Sequence, residues 1–72
     1  MIFVSIERNN DISLSKQISN SIKDSILKGT LRNGDKLPSS RELSKHLNVA
    51  RNVVIESYEQ LLSEGYVYSK NG

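Results

Sequence analysis

Ser39-Ser40-Arg41-Glu42-Leu43-Ser44-Lys45-His46-Leu47-Asn48-Val49-Ala50-Arg51-Asn52-Val53 is the stretch on which the fold turns. Ser39 with Glu42 three residues on is a capping box: the hydroxyl accepts from the glutamate amide while the carboxylate reaches back to the serine amide, so a helix starts there. That helix is short. Leu43 and Leu47 form its apolar pair, and Asn48, a residue type that tolerates positive φ, follows at once. Asn48-Val49 therefore reads as a tight turn, and a further helix runs from about Ala50 to Glu64 with Gly65 as its terminator. On that helix Ala50, Val54, Ser57, Tyr58 and Leu61 share one face, while Asn52, Glu56, Glu59 and Ser63 fall opposite. Tyr58, Leu61, Leu62 and Tyr66 are expected in the core.

Upstream, Leu14, Ile18, Ile22 and Ile26 recur at i+4 with Leu27 beside the last, an apolar stripe that predicts another helix. Ser13 can cap its start and Gly29 can end it, with Lys28 in the last turn where a cation suits the helix dipole. Thr30 to Pro38 holds an Asn-Gly pair and a proline and reads as loop, anchored on the core by Leu31 and Leu37. Residues 1–13 alternate weakly and then dissolve into Arg8-Asn9-Asn10-Asp11, giving an extended arm or short strand. Downstream, Tyr66-Val67-Tyr68-Ser69-Lys70 is β-prone and leads into Asn71-Gly72, a strong hairpin signal. Since a lone hairpin strand leaves its backbone groups unpaired, a returning strand and a further effector domain are expected beyond residue 72.

Helix, loop, short capped helix, tight turn, longer helix and hairpin is the order of a winged helix-turn-helix, mainly α with a small β-wing. The domain division is an arm over 1–13 and a winged helix-turn-helix over 14–72. A chain of 72 residues makes one small domain, too small for a large enclosed active site. It lacks cysteine, which excludes disulfides and thiolate metal clusters and fits a reducing cytoplasm. Its apolar runs fall far short of the ~20 residues of a membrane span, and no signal-peptide pattern precedes residue 20. Neither a nucleophile elbow nor a Gly-rich phosphate loop accompanies the many serines, so no enzymatic activity is expected.

A net charge of +2 decides nothing, but its placement does. Ser39 to Asn52 carries Arg41, Lys45, Arg51 and His46 against one acid, Glu42, whereas Glu56, Glu59 and Glu64 lie further along. Helix amino ends present unsatisfied N–H groups and partial positive charge, so Ser39, Ser40 and Arg41 at one end and Arg51 and Asn52 at the next can face phosphates. An arginine pairs with guanine O6 and N7 and an asparagine with adenine N6 and N7, and Ile55, one turn on, can touch a thymine methyl. The lone His46 has no second imidazole nearby and is assigned nothing beyond a phosphate contact.

Three pieces of the chain, Ile26-Leu27-Lys28-Gly29-Thr30-Leu31, Gly34-Asp35-Lys36-Leu37-Pro38-Ser39-Ser40-Arg41-Glu42-Leu43 and Val49 through Tyr66, resemble the amino-terminal domain of the GntR family of transcription regulators. Within the family, Leu37-Pro38-Ser39-Ser40-Arg41 and Ser57-Tyr58-Glu59-Gln60-Leu61 look most like the MocR branch, and the YtrA branch has a similar recognition helix. The resemblance implies that Arg41 and Arg51 contact phosphate or base, that Asn52 and Ile55 lie along the groove, and that a wing tip at Lys70, Asn71 and Gly72 reaches the minor groove. It implies a double-stranded DNA operator and a homodimer. It also implies no cofactor in this chain, with pyridoxal phosphate and any small-molecule effector confined to a further domain if the chain is MocR-like. The sequence departs from the family pattern at Ala50, where a capping serine is usual, and at Val53, where threonine is frequent. The competing reading is a winged helix used for protein contact or dimerisation, in which the basic residues are only solvated.

Overall fold

α1 (Leu14–Leu27), α2 (Ser40–Leu47) and α3 (Arg51–Ser63) follow one another in the computed structural model, which describes residues 4–68. Ser13 caps α1, its hydroxyl accepting from the Lys16 amide at 3.2 Å. Ile18 and Ile22 are buried and Leu14 and Ile26 half-buried, whereas Leu27 is 75% exposed. One residue step is ~100° around a helix, so Leu27 leaves the stripe that Ile26 still belongs to. α2 starts on the expected box, Ser39 Oγ accepting from the Glu42 amide and Glu42 Oε1 from the Ser39 amide, each at 3.0 Å. It ends on Asn48 at φ 58°, ψ 49°, with the Val49 amide donating back to the Ser44 carbonyl at 3.0 Å. The left-handed turn between α2 and α3 thus falls on the one non-glycine residue with positive φ among those described.

Helix packing runs α1 on α3 and α2 on α3. Val54, Leu61 and Ser57 of α3 are buried, and Val54 and Leu61 join Ile18, Ile22 and Leu43 in a single core of five apolar residues. Full burial of such a side chain is worth about 1.5–3 kcal/mol, so each of the five matters in so small a core. Leu31 and Leu37 pack against it from the loop, as expected, and Val4 and Ile6 pack against it from the arm. The buried serines are tolerated because each finds a carbonyl: Ser19 that of Lys16, Ser44 that of Arg41, and Ser57 that of Ser15 across the α1–α3 interface at 2.6 Å.

Tyr58 fixes the approach to α2 by donating from its hydroxyl to the Pro38 carbonyl at 2.7 Å. Burial, with the nearby Glu42 charge second, pushes this phenol up to about 12. At the far end of α3, Gly65 takes φ +80°, which lets its amide bond Leu62 and the Tyr66 amide bond Leu61, a Schellman ending. Lys23 of α1 meets Glu64 at 2.7 Å and stands 5.3 Å from the Tyr66 ring centre. The hydrogen bond from Lys23, with one from Gln60, holds the Glu64 carboxyl below the usual range.

Several expectations need correction. Leu62 and Tyr66 are 42% and 36% exposed and so are not core, while Tyr58 is half-buried. α1 and α2 pack on α3 and the loop reaches it at Tyr58, but Leu62 lies one step beyond Leu61, and Tyr66 turns to Lys23. Ala50 is exposed and forms the N-cap position, placing the helix start at Arg51. Among the described residues there is no strand in the arm or at 66–68. The expected wing tip at Lys70, Asn71 and Gly72 lies outside the described residues.

Candidate nucleic-acid interface

The two helix amino ends meet. Arg51, the first residue of α3, donates from Nε to Oγ of Ser40, the first residue of α2, at 3.0 Å. The guanidinium is thereby oriented by a neutral partner, which leaves its charge uncompensated. Arg41 and Lys45 are exposed on α2, and Arg51, Asn52 and Ile55 are exposed on α3, with Ile55 at 37%. Ion pairs among the described residues are Lys23–Glu64 and Lys28–Asp24, so no carboxylate among those residues pairs with Arg41, Lys45 or Arg51. The one acid of this stretch, Glu42, is engaged by the Ser39 amide.

The helix starts differ in what they offer. At α2 the Ser39 hydroxyl fills the cap by accepting from the Glu42 amide, which leaves its own O–H as a donor. At α3 no side chain caps the end, because Ala50 brings only a methyl group. The Arg51 and Asn52 amides thus have no side-chain cap, the Val53 amide bonding only the Ala50 carbonyl, and the exposed Arg51 guanidinium is a cation at the positive end of a helix dipole, an arrangement that an incoming anion relieves. Outward residues further along are Glu56 and Glu59, so the positive, acid-free part of α3 is its first turn and a half. Lys45 and His46 lie in the last turn of α2, where they also complement its dipole.

Of the expected site residues, Ser40 and Arg51 are in direct contact, Arg41 and Lys45 share α2 one turn apart, and Asn52 and Ile55 share α3 one turn apart. Two residues that the sequence does not single out hold the frame. Arg8 reaches the end of α2 from the arm, with Nη2 at 2.7 Å from the Asn48 carbonyl and 3.2 Å from that of Leu47. Gln17 of α1 holds the arm in turn, donating to the carbonyls of Glu7 and Ile12 and accepting from the Glu7 amide. No periodicity marks Arg8, whose partners lie 39 and 40 residues away.

An open polar depression between arm and α1 is lined by Ser5, Glu7, Asn10, Gln17, Asn20 and Ser21. It presents no lysine amine for a Schiff base and does not fit pyridoxal phosphate. Among the described residues no group of three or more His, Cys, Asp or Glu is placed to hold a metal ion, and no helix is long and apolar enough to cross a membrane.

The model of the bacterial regulatory proteins of the gntR family matches residues 14–72. Among curated proteins, the chain is 36% identical over 67 residues to the probable rhizopine catabolism regulatory protein MocR of Rhizobium meliloti, covering 93% of this chain and 14% of that protein. It is 36% identical over 69 residues to the HTH-type pyridoxine biosynthesis transcriptional regulator PdxR of Corynebacterium glutamicum, covering 96% and 15%. It is 33% identical, also over 69 residues, to the HTH-type transcriptional repressor YtrA of Bacillus subtilis, covering 96% and 53%. The chain thus spans about a seventh of the first two and about half of the third. With the family pattern running from the first residue of α1 through the turn and α3 to residue 72, this chain belongs to the GntR family of bacterial regulatory proteins.

Proposed function

We propose that the chain is the DNA-reading domain of a cytoplasmic transcription regulator, binding a double-stranded operator as a homodimer and carrying out no catalysis itself. The observation that supports this best is the Arg51–Ser40 contact, which joins the amino ends of α2 and α3 where no carboxylate among the described residues pairs with Arg41, Lys45 or Arg51. In this reading Arg41, Lys45 and Arg51, with the bare first turn of α3, hold phosphates. Asn52 and Ile55 reach base edges in the major groove. A β-wing at Lys70, Asn71 and Gly72 adds minor-groove contact. Ser39, engaged as acceptor in the cap, contributes mainly through the helix it starts, with Ser40 beside it at the same helix end. The much greater length of the MocR and PdxR relatives supports a further effector domain of the MocR type, and any pyridoxal phosphate or effector binding belongs there.

The test is a salt series on a duplex selected from random-sequence DNA by the chain itself. Each phosphate contact releases counterions and contributes about −0.9 to the slope of log K against log salt, so three side-chain contacts per subunit give a slope of about −2.7 for one bound subunit and about −5.4 for the homodimer. A slope near zero would falsify the phosphate contacts and leave protein docking as the better account of this face.

A further inference from the structure

The arm precedes the matched family pattern, which begins at residue 14, yet it is tied to the helix-turn-helix at its most sensitive point. Leu47 and Asn48 contribute the two peptide carbonyls that flank the left-handed residue, so the planes they belong to are related by the φ and ψ of Asn48 alone. A single nitrogen, Arg8 Nη2, reaches both carbonyls, at 3.2 and 2.7 Å. Rotation about either dihedral of Asn48 moves one carbonyl relative to the other and breaks a bond. The same rotation swings α3 relative to α2. Electrostatics act in the same direction, since carbonyls at a helix carboxyl end carry partial negative charge. The mount for Arg8 is itself held: Gln17 bonds the arm backbone at Glu7 and Ile12, and Val4 and Ile6 pack on the core.

We infer that Arg8 is a positioning residue for DNA recognition, clamping the α2–α3 turn and so setting the direction in which the first turn of α3 is presented, without touching nucleic acid itself. This rests on the DNA-binding reading above. The experiment uses the duplex selected by the wild-type chain and compares Arg8→Ala and Arg8→Lys with it, across a salt series and by hydrogen exchange of the Val49 amide. Arg8→Ala is expected to weaken the selected duplex about three- to tenfold, the scale of one ordinary intramolecular hydrogen bond. The salt slope should stay unchanged while Val49 exchange accelerates. Arg8→Lys should recover most of the loss, because one nitrogen makes both bonds.

A salt slope shallower by about 0.9 in Arg8→Ala means that Arg8 holds a phosphate and overturns the inference. Unchanged affinity and exchange overturn it as well. If Arg8→Ala loses its helical circular dichroism, the same comparison is read on Arg8→Lys and Arg8→Gln, and equal affinity and equal Val49 exchange in wild type and both variants overturn it. A wild-type chain that enriches no duplex refutes the DNA-binding reading, whereas a wild type that binds beside an Arg8→Ala that binds identically refutes only the clamp.

Discussion

α2 and α3 begin within twelve residues of each other and in opposite ways. α2 is closed on itself: hydroxyl to amide, carboxylate to amide, both at 3.0 Å. α3 begins on an alanine, has no side-chain cap, and places an arginine where a helix dipole disfavours one. Neighbouring helices in one small domain thus divide the work. α2 spends its amino end on holding the fold, and α3 leaves its amino end open to an anion. The Arg51–Ser40 bond connects the two ends, so the stable start sets the orientation of the open one.

The sharpest way to break this contrast is Arg51→Glu. It should abolish measurable binding to the selected duplex while leaving thermal stability equal or higher by about 0.3–1 kcal/mol, because an acid suits a helix amino end. Loss of both binding and stability would mean that Arg51 is structural. Ser39→Ala attacks the other side and should cost about 0.5–2 kcal/mol in denaturant unfolding. Its affinity, corrected for the folded fraction, should stay within about twofold of wild type, since a kilocalorie lost in the unfolding equilibrium does not touch the ligand face. A large residual binding defect would place the Ser39 hydroxyl on DNA.

Tyr58→Phe frees the loop entering α2 and should cost about 0.5–1.5 kcal/mol at neutral pH through the lost Pro38 bond. The sign of its pH dependence follows from the raised phenol. In the wild type, Tyr58 stays protonated in the folded chain up to about 12 but ionises near 10 when unfolded, so its contribution is intact below 10 and declines between those values. Tyr58→Phe should flatten that alkaline decline in a melting series, and an unchanged decline would assign it to other groups. The smallest effect is expected from Ala50→Ser, which gives α3 the cap it lacks and should add about 0.5–1 kcal/mol of stability. Equal or lower stability would show that the backbone at residue 50 does not present a hydroxyl to the first turn.

Much of this fold was legible because its determinants are local. The Ser39–Glu42 box, the turn at Asn48 and the i+4 isoleucines of α1 each act over one helical turn, and the sequence carries them as spacings. Burial at the margins was not. Leu62 and Tyr66 are apolar enough for a core, but a domain with one helix on each side of α3 leaves part of that helix uncovered. At the candidate site, the residue types and their placement on two helix starts were readable, whereas the Arg51–Ser40 contact depends on how α2 and α3 cross. Arg8 was least legible, sitting in a polar run typical of a loop, with both acceptors being backbone carbonyls that no side-chain pattern records.

α3 is both the helix on which α1 and α2 pack and the one that carries Arg51, Asn52 and Ile55 outward. Its two sides use different positions: Val54, Ser57 and Leu61 inward, residues 52 and 55 outward. On the DNA-binding reading proposed above, substitutions at 52 and 55 would change the preferred target while the interior stays the same. A lineage of such domains could diversify its targets through a handful of codons, with no need to rediscover a foldable sequence each time.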